Sequence, residues 1–206
     1  NDTAFNPENP VVRLHEPTFG ADEISAFVEC MLTTRVTAGP KVKEFERAYA
    51  STYEHAHGVL VNSGSSANLL AIATLTNSDV RDHLKPGDEV IVPALSWSTT
   101  VWPLIQCGLI PVIVDIDPAT LNIDPNEIER AIGPKTRGLV IVPVYGNPCD
   151  MSAVTEICNR NDLILIEDTC EAMGATYGGR PLGGFGRIGT FSFYFSHHIT
   201  TLEGGI

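Results

Sequence analysis

From about residue 57 the chain alternates short, unbroken aliphatic runs with segments of helical spacing, a rhythm that few architectures accept. The runs are Gly58-Val59-Leu60-Val61, Glu89-Val90-Ile91-Val92, Pro111-Val112-Ile113-Val114, Leu139 to Val144, Leu163 to Ile166 and Gly189-Thr190-Phe191-Ser192-Phe193. Between the first five lie helix candidates that begin near Ser65, Ser98, Asp124-Pro125 and Asp150. A strand with one wet face alternates polar and apolar residues; these runs do not, so they read as strands covered on both faces. Strands joined through helices make right-handed crossovers, which predicts an α/β domain with a mainly parallel sheet flanked by helices.

The first ten residues, with three Asn and two Pro, read as a loose arm. Gly20-Ala21-Asp22-Glu23 then opens a helix whose Ile24, Phe27, Val28, Met31 and Leu32 have the spacing of one buried face. Its acids sit in the first turn, where the helix dipole favours them. Thr37-Ala38-Gly39-Pro40 breaks that pattern, and a second helix follows with Val42, Phe45, Ala48 and Tyr49 on one side. The expected division is an N-terminal arm and helix over 1–36 and the sheet domain over 37–206. Gly174 to Gly189 is glycine-rich and reads as a long ordered loop. Leu202-Glu203-Gly204-Gly205-Ile206 stops as a β-branched residue opens a further strand, and no Met stands at the start, so the chain reads as a portion of a longer protein.

Composition narrows the partners. Lys and Arg number 13 against 25 Asp and Glu, a net charge of −12, which is the opposite of the basic footprint that nucleic acid or an anionic membrane demands. The longest apolar runs, Gly138 to Val144 and Leu163 to Ile166, fall far short of the ~20 residues of a membrane-spanning helix. The first residues lack the basic-then-apolar order of a secretion signal. Cys30, Cys107, Cys149, Cys158 and Cys170 contain no Cys-x-x-Cys pair, which disfavours a disulfide framework or a zinc site and points to reduced cytoplasm.

In such a sheet, ligands bind where strands end and loops turn outward. Asn62-Ser63-Gly64-Ser65-Ser66 leads into a helix, where small residues present backbone N–H groups and hydroxyls to a phosphate or simply cap the helix. After the second run stands Trp97, which could stack on a planar ring or fill a core; Trp102 reads as core. Ile166-Glu167-Asp168-Thr169-Cys170-Glu171 puts three acids at a buried strand end, either to hold a protonated ring nitrogen or to cap the next turn. In Phe191-Ser192-Phe193-Tyr194-Phe195-Ser196-His197-His198, neighbouring histidines point different ways, so a general base is a better reading than a metal pair.

In order and spacing these loops resemble the large domain of the pyridoxal-phosphate sugar aminotransferase and dehydratase family (DegT/DnrJ/EryC1/StrS type), which has the aspartate-aminotransferase fold, fold type I. The likeness runs from about Thr37 to the last residue, about the first half of such a protein, so a C-terminal small domain would be missing. It implies that Gly64, Ser65, Ser66 and Ser192 hold the cofactor phosphate, that Trp97 stacks on the pyridine ring and that Asp168 pairs with its protonated nitrogen. Glu171, where aminotransferases commonly carry Gln, would meet the ring hydroxyl or the sugar.

The family's aminotransferases carry a Lys five residues after the Ser of the Phe-Ser-Phe motif, where it forms a Schiff base with the cofactor; here that place is His197. Imidazole moves protons but forms no lasting Schiff base, so pyridoxal or pyridoxamine 5′-phosphate would be held non-covalently. Replacement of that Lys by the first of two His marks the family's sugar 3-dehydratases. The resemblance therefore implies 3-dehydration of a nucleotide-diphosphate 4-keto-6-deoxy sugar, with GDP favoured as the nucleotide, His197 as the base, L-glutamate restoring the amine cofactor and a homodimer as the assembly. It leaves three alternatives: a dehydratase with an iron–sulfur cluster and a reductase partner, in which Cys170 would be a ligand; a sugar aminotransferase that tolerates His; and a silent sugar-nucleotide binder. Leu202, where the cluster enzyme tends to carry Gly, favours the dehydratase without a cluster.

Overall fold

The computed structural model describes residues 6–8, 10 and 18–206, so the expected arm lies mostly outside the described residues. Contacts divide the chain into two compact units, Asn1–Lys43 and Glu44–Ile206. In the first, α1 (Ala21–Leu32) forms where the spacing predicts it, and the Gly20 N–H donates to the Glu23 carboxylate at 2.7 Å across its first turn. Its apolar face is not buried as expected: Phe27 is 63% and Leu32 78% exposed. Amphipathic spacing shapes a helix face, and among the described residues nothing buries this one.

The helix α2 (Pro40–Thr52) spans the boundary between the units. In the second unit follow α3 (Gly64–Leu75), β1 (Glu89–Pro93), α4 (Ser98–Gln106), β2 (Ile110–Val114), α5 (Pro125–Ala131), β3 (Thr136–Ile141), α6 (Met151–Asn161) and β4 (Ile164–Asp168). A ribbon of β5 (Thr176–Tyr177) and β6 (Arg180–Pro181) precedes β7 (Ile188–Thr190). The main sheet has the order β2-β1-β3-β4-β7, and every pairing in it is parallel. Successive side chains of a strand point to opposite faces, and the central strands are apolar on both. Val90, Val92, Val140 and Ile166 pack with Ile72, Leu75 and Leu104, whereas Ile91, Leu139, Ile141 and Leu165 pack with Ile128, Met151 and Val154. The unbroken aliphatic runs are thus two half-cores interleaved in one strand.

Three elements differ from expectation. Gly58 to Val61 is not a strand: only Val61 pairs, exchanging bonds of 2.8 and 3.0 Å with Gly205, and Val59 is 57% exposed. The run at Gly189 stays in the parallel sheet only to Thr190. Beyond it, Phe191 exchanges hydrogen bonds with Ile206 and the Phe193 N–H donates to Gly204, both antiparallel. Trp102 lies at the surface, 56% exposed, because α4 turns it away from the sheet that Leu104 meets.

The glycine-rich segment is not one loop either, since it holds the β5–β6 ribbon and the start of β7. What organises it is Glu167, fully buried in β4, whose carboxylate accepts N–H bonds from Gly183 at 2.7 Å and from Phe185 and Gly186 at 2.6 Å each. Gly183 has φ +90°, and a Cβ there would lie 2.3 Å from the Phe191 ring. Glu167→Ala would leave the buried Gly183 amide and the partly buried amides of Phe185 and Gly186 without their acceptor, so it should destabilise the domain by roughly 3–5 kcal/mol in denaturant unfolding.

Candidate active site

The site begins with a close approach of backbones. Ser63 caps α3, its hydroxyl accepting the Ser66 N–H at 3.1 Å, while its own carbonyl takes the Ala67 N–H at 3.0 Å. Helix geometry leaves the Gly64 and Ser65 amides without intrahelical acceptors. Ser63 is therefore a cap, as one reading of this loop expects, and the two amides that it does not use stand at the helix start. A Cβ on Gly64 would lie 2.6 Å from Ser192 Cβ and 3.0 Å from Cys170 Sγ, so only glycine lets Ser192 sit against the start of α3. Gly205 meets the same turn from another side, where a Cβ would be 2.3 Å from the Ser63 carbonyl oxygen. Gly64, Ser65, Ser66 and Ser192, more than a hundred residues apart in sequence, thus form one small polar cradle with Ser192 buried.

Asp168 ends β4, 5% exposed. One of its oxygens, Oδ2, accepts from Asn68 Nδ2 at 2.8 Å and Thr100 Oγ1 at 2.7 Å. The other, Oδ1, accepts a long 3.4 Å bond from the Cys170 N–H, and the Cys170 thiol also hydrogen-bonds the carboxylate. Both short bonds to the carboxylate therefore fall on Oδ2. Trp97 sits at the N-cap of α4, the helix that delivers Thr100 to Asp168, and it is 75% exposed. It is available for stacking and is not a core residue.

His197 is half-buried, and its backbone N–H donates to the Tyr194 carbonyl at 3.0 Å. Burial lowers its pKa below the ordinary 6.5, opposed by the nearby carboxylates of Glu171 and Asp168 and assisted by His198. Glu171 is itself half-buried and receives the Tyr145 N–H at 3.4 Å, from a residue held at φ +52°. Burial, with the Asp168 carboxylate beside it, pushes the Cys170 thiol well above its usual value, which keeps it a neutral packing group. No cluster of three or more His, Cys, Asp or Glu with metal-binding geometry is present among the described residues. A cavity of about 450 Å³ lies beside β7, lined in part by Tyr49, Leu70, Ile188 and Thr190.

Sequence reasoning missed Asn68, Thr100 and Thr190. Their only legible signal is polarity on otherwise apolar segments, since each is buried. The cradle yields a direct test. Gly64→Ala should leave the sheet intact by circular dichroism and weaken phosphate-ligand binding at least ~10-fold, because the added methyl must displace Ser192.

The chain matches the DegT/DnrJ/EryC1/StrS aminotransferase family over residues 17–206. It is 45% identical to a GDP-4-keto-6-deoxy-D-mannose 3-dehydratase of Yersinia pseudotuberculosis, over 93% of this chain and 49% of that protein. It is 46% identical to the lipopolysaccharide biosynthesis protein RfbH of Salmonella typhimurium, over 90% of this chain and 43% of that protein. A crystal structure of GDP-4-keto-6-deoxymannose-3-dehydratase with a trapped PLP-glutamate geminal diamine superposes with a TM-score of 0.90 at 43% identity, covering 94% of this chain and 50% of the other. The chain thus spans about half the length of the relatives that it matches, and its parallel α/β sheet is that of their fold-type-I domain. With the match covering nearly all of it, the chain belongs to the DegT/DnrJ/EryC1/StrS aminotransferase family.

Proposed function

We propose that this chain is the cofactor-binding part of a 3-dehydratase that converts a GDP-linked 4-keto-6-deoxyhexose to the 3,6-dideoxy-4-keto sugar. Residues 37–206 would form its large domain, in the homodimer that the resemblance implies. The observation that carries the reading is His197, a half-buried imidazole near Asp168 and Glu171, at the position where the family's aminotransferases keep their Lys. The names of the similar dehydratases and the PLP-glutamate adduct in one of them support it.

The residues present fit pyridoxal 5′-phosphate and its amine form. The Gly64–Ser65–Ser66 turn and Ser192 offer amides and hydroxyls to the phosphate, Asp168 Oδ1 has room for the proton of the ring nitrogen, and Trp97 offers its face to the ring. When bound, the cofactor supplies an amine that condenses with the sugar ketone and a protonated ring that accepts electron density. Asp168 keeps that nitrogen protonated. His197, neutral, takes a proton from the cofactor's C4′ carbon and, once charged, gives it to the C3 hydroxyl as that group leaves. Glu171 orients the ring hydroxyl or the sugar. The His197 imidazole forms no lasting Schiff base, so the phosphate cradle, Asp168 and Trp97 would hold the cofactor non-covalently.

The test is product identity. Full-length protein given pyridoxal 5′-phosphate, L-glutamate and GDP-4-keto-6-deoxy-D-mannose, with no electron donor, should yield a sugar short of one oxygen, ammonia and 2-oxoglutarate by mass spectrometry. A sugar that has gained an amino group would instead make it an aminotransferase. His197→Asn should lower dehydration by about 10²- to 10⁴-fold while the cofactor stays bound. Because the lowered pKa keeps His197 in its neutral, basic form below pH 6.5, kcat/KM should hold through that value and fall only at more acidic pH.

A further inference from the structure

The carboxylate of Asp168 is fixed by neutral donors from two helices. Asn68, in the second turn of α3, is 6% exposed, and its amide nitrogen donates to Asp168 Oδ2 at 2.8 Å and to the Thr99 carbonyl at 3.2 Å. A carbonyl can only accept, so the Thr99 contact decides which end of the Asn68 amide is the nitrogen. The opposite end then has to accept, and it takes the Thr190 hydroxyl at 2.6 Å. Thr100 Oγ1 adds a second donor to the same Asp168 oxygen at 2.7 Å. The chain of bonds runs one way, from β7 through α3 to the end of β4, and it places both short bonds on Oδ2, while Oδ1 takes the long contact from the Cys170 N–H.

We infer that Asn68 is a positioning residue: with Thr100 it holds the Asp168 carboxylate through Oδ2 and so presents Oδ1 as the oxygen that meets the cofactor's ring nitrogen, an inference that rests on the function proposed above. The titratable groups beside Asp168 are Cys170, held neutral, and His197, with Glu171 adjacent to it. The side chains that bond Asp168 from α3 and α4 carry no charge, so hydrogen bonding and not ion pairing holds the carboxylate from that side.

The measurement uses full-length protein loaded with pyridoxal 5′-phosphate labelled with ¹⁵N in the ring. Wild-type protein should show a protonated ring nitrogen at neutral pH, and Asn68→Leu, which keeps the volume and removes the donor, should lose that proton at a pH lower by about one unit or more. Thr100→Val, a smaller change at the core, should move the loss the same way and covers the case in which Asn68→Leu does not fold. A ring nitrogen that titrates as in wild type in both variants, with the cofactor bound, overturns the inference. Wild-type protein that binds no pyridoxal 5′-phosphate overturns the proposed function, and the inference with it.

Discussion

Backbone contact at two glycines holds the site together. A Cβ at Gly64 would strike Ser192, and one at Gly205 would strike the Ser63 carbonyl and come within 2.6 Å of the Gly64 amide nitrogen. Because neither exists, the start of α3, the segment after β7 and the antiparallel stretch at Gly204–Ile206 converge within van der Waals distance. That convergence brings amides and hydroxyls remote in sequence to one point. Gly205 also bridges Val61 and Ser192, so the same contact ties the first apolar run of the domain to the sheet.

Two adjacent acids at the end of β4 divide the remaining work. Consecutive strand residues face opposite sides, so Glu167 and Asp168 look into different surroundings. Glu167 gathers the amides of Gly183, Phe185 and Gly186 and so shapes the segment leading into β7. Asp168 gathers Asn68 and Thr100 and faces the cradle. Thr190 links the two sides: its hydroxyl reaches the Asn68 amide oxygen and lies 3.4 Å from the Glu167 carbonyl. The scaffold that sets β7 and the group that would hold a ring nitrogen therefore share one strand end.

Much of this was legible in the amino-acid order. Unbroken Val and Ile runs such as Val90-Ile91-Val92 announced strands buried on both faces, and Asp124-Pro125 and Asp150 marked helix starts that the structure keeps, with both aspartates as caps. The polar residues of the candidate site stood out because they interrupt loops at strand ends. What escaped depends on partners distant in sequence. Val61 makes a single bridge instead of a strand because its partner lies at Gly205, and spacing alone cannot supply the neighbour that would bury α1. Asn68, Thr100 and Thr190 read as ordinary helix and strand residues until the fold brings them to Asp168 from 100, 68 and 22 positions away, separations that no local pattern encodes.

If the Gly64–Ser192 cradle, Asp168 and His197 form one site for a cofactor held without a covalent bond, a crystal structure of the full-length protein with pyridoxamine 5′-phosphate should show the phosphate on the Ser65 amide and Ser192 hydroxyl, the ring nitrogen on Asp168 Oδ1, Trp97 against the ring and His197 beside C4′ with no bond to it. A cofactor seated elsewhere, or linked covalently to a lysine, would rule that site out.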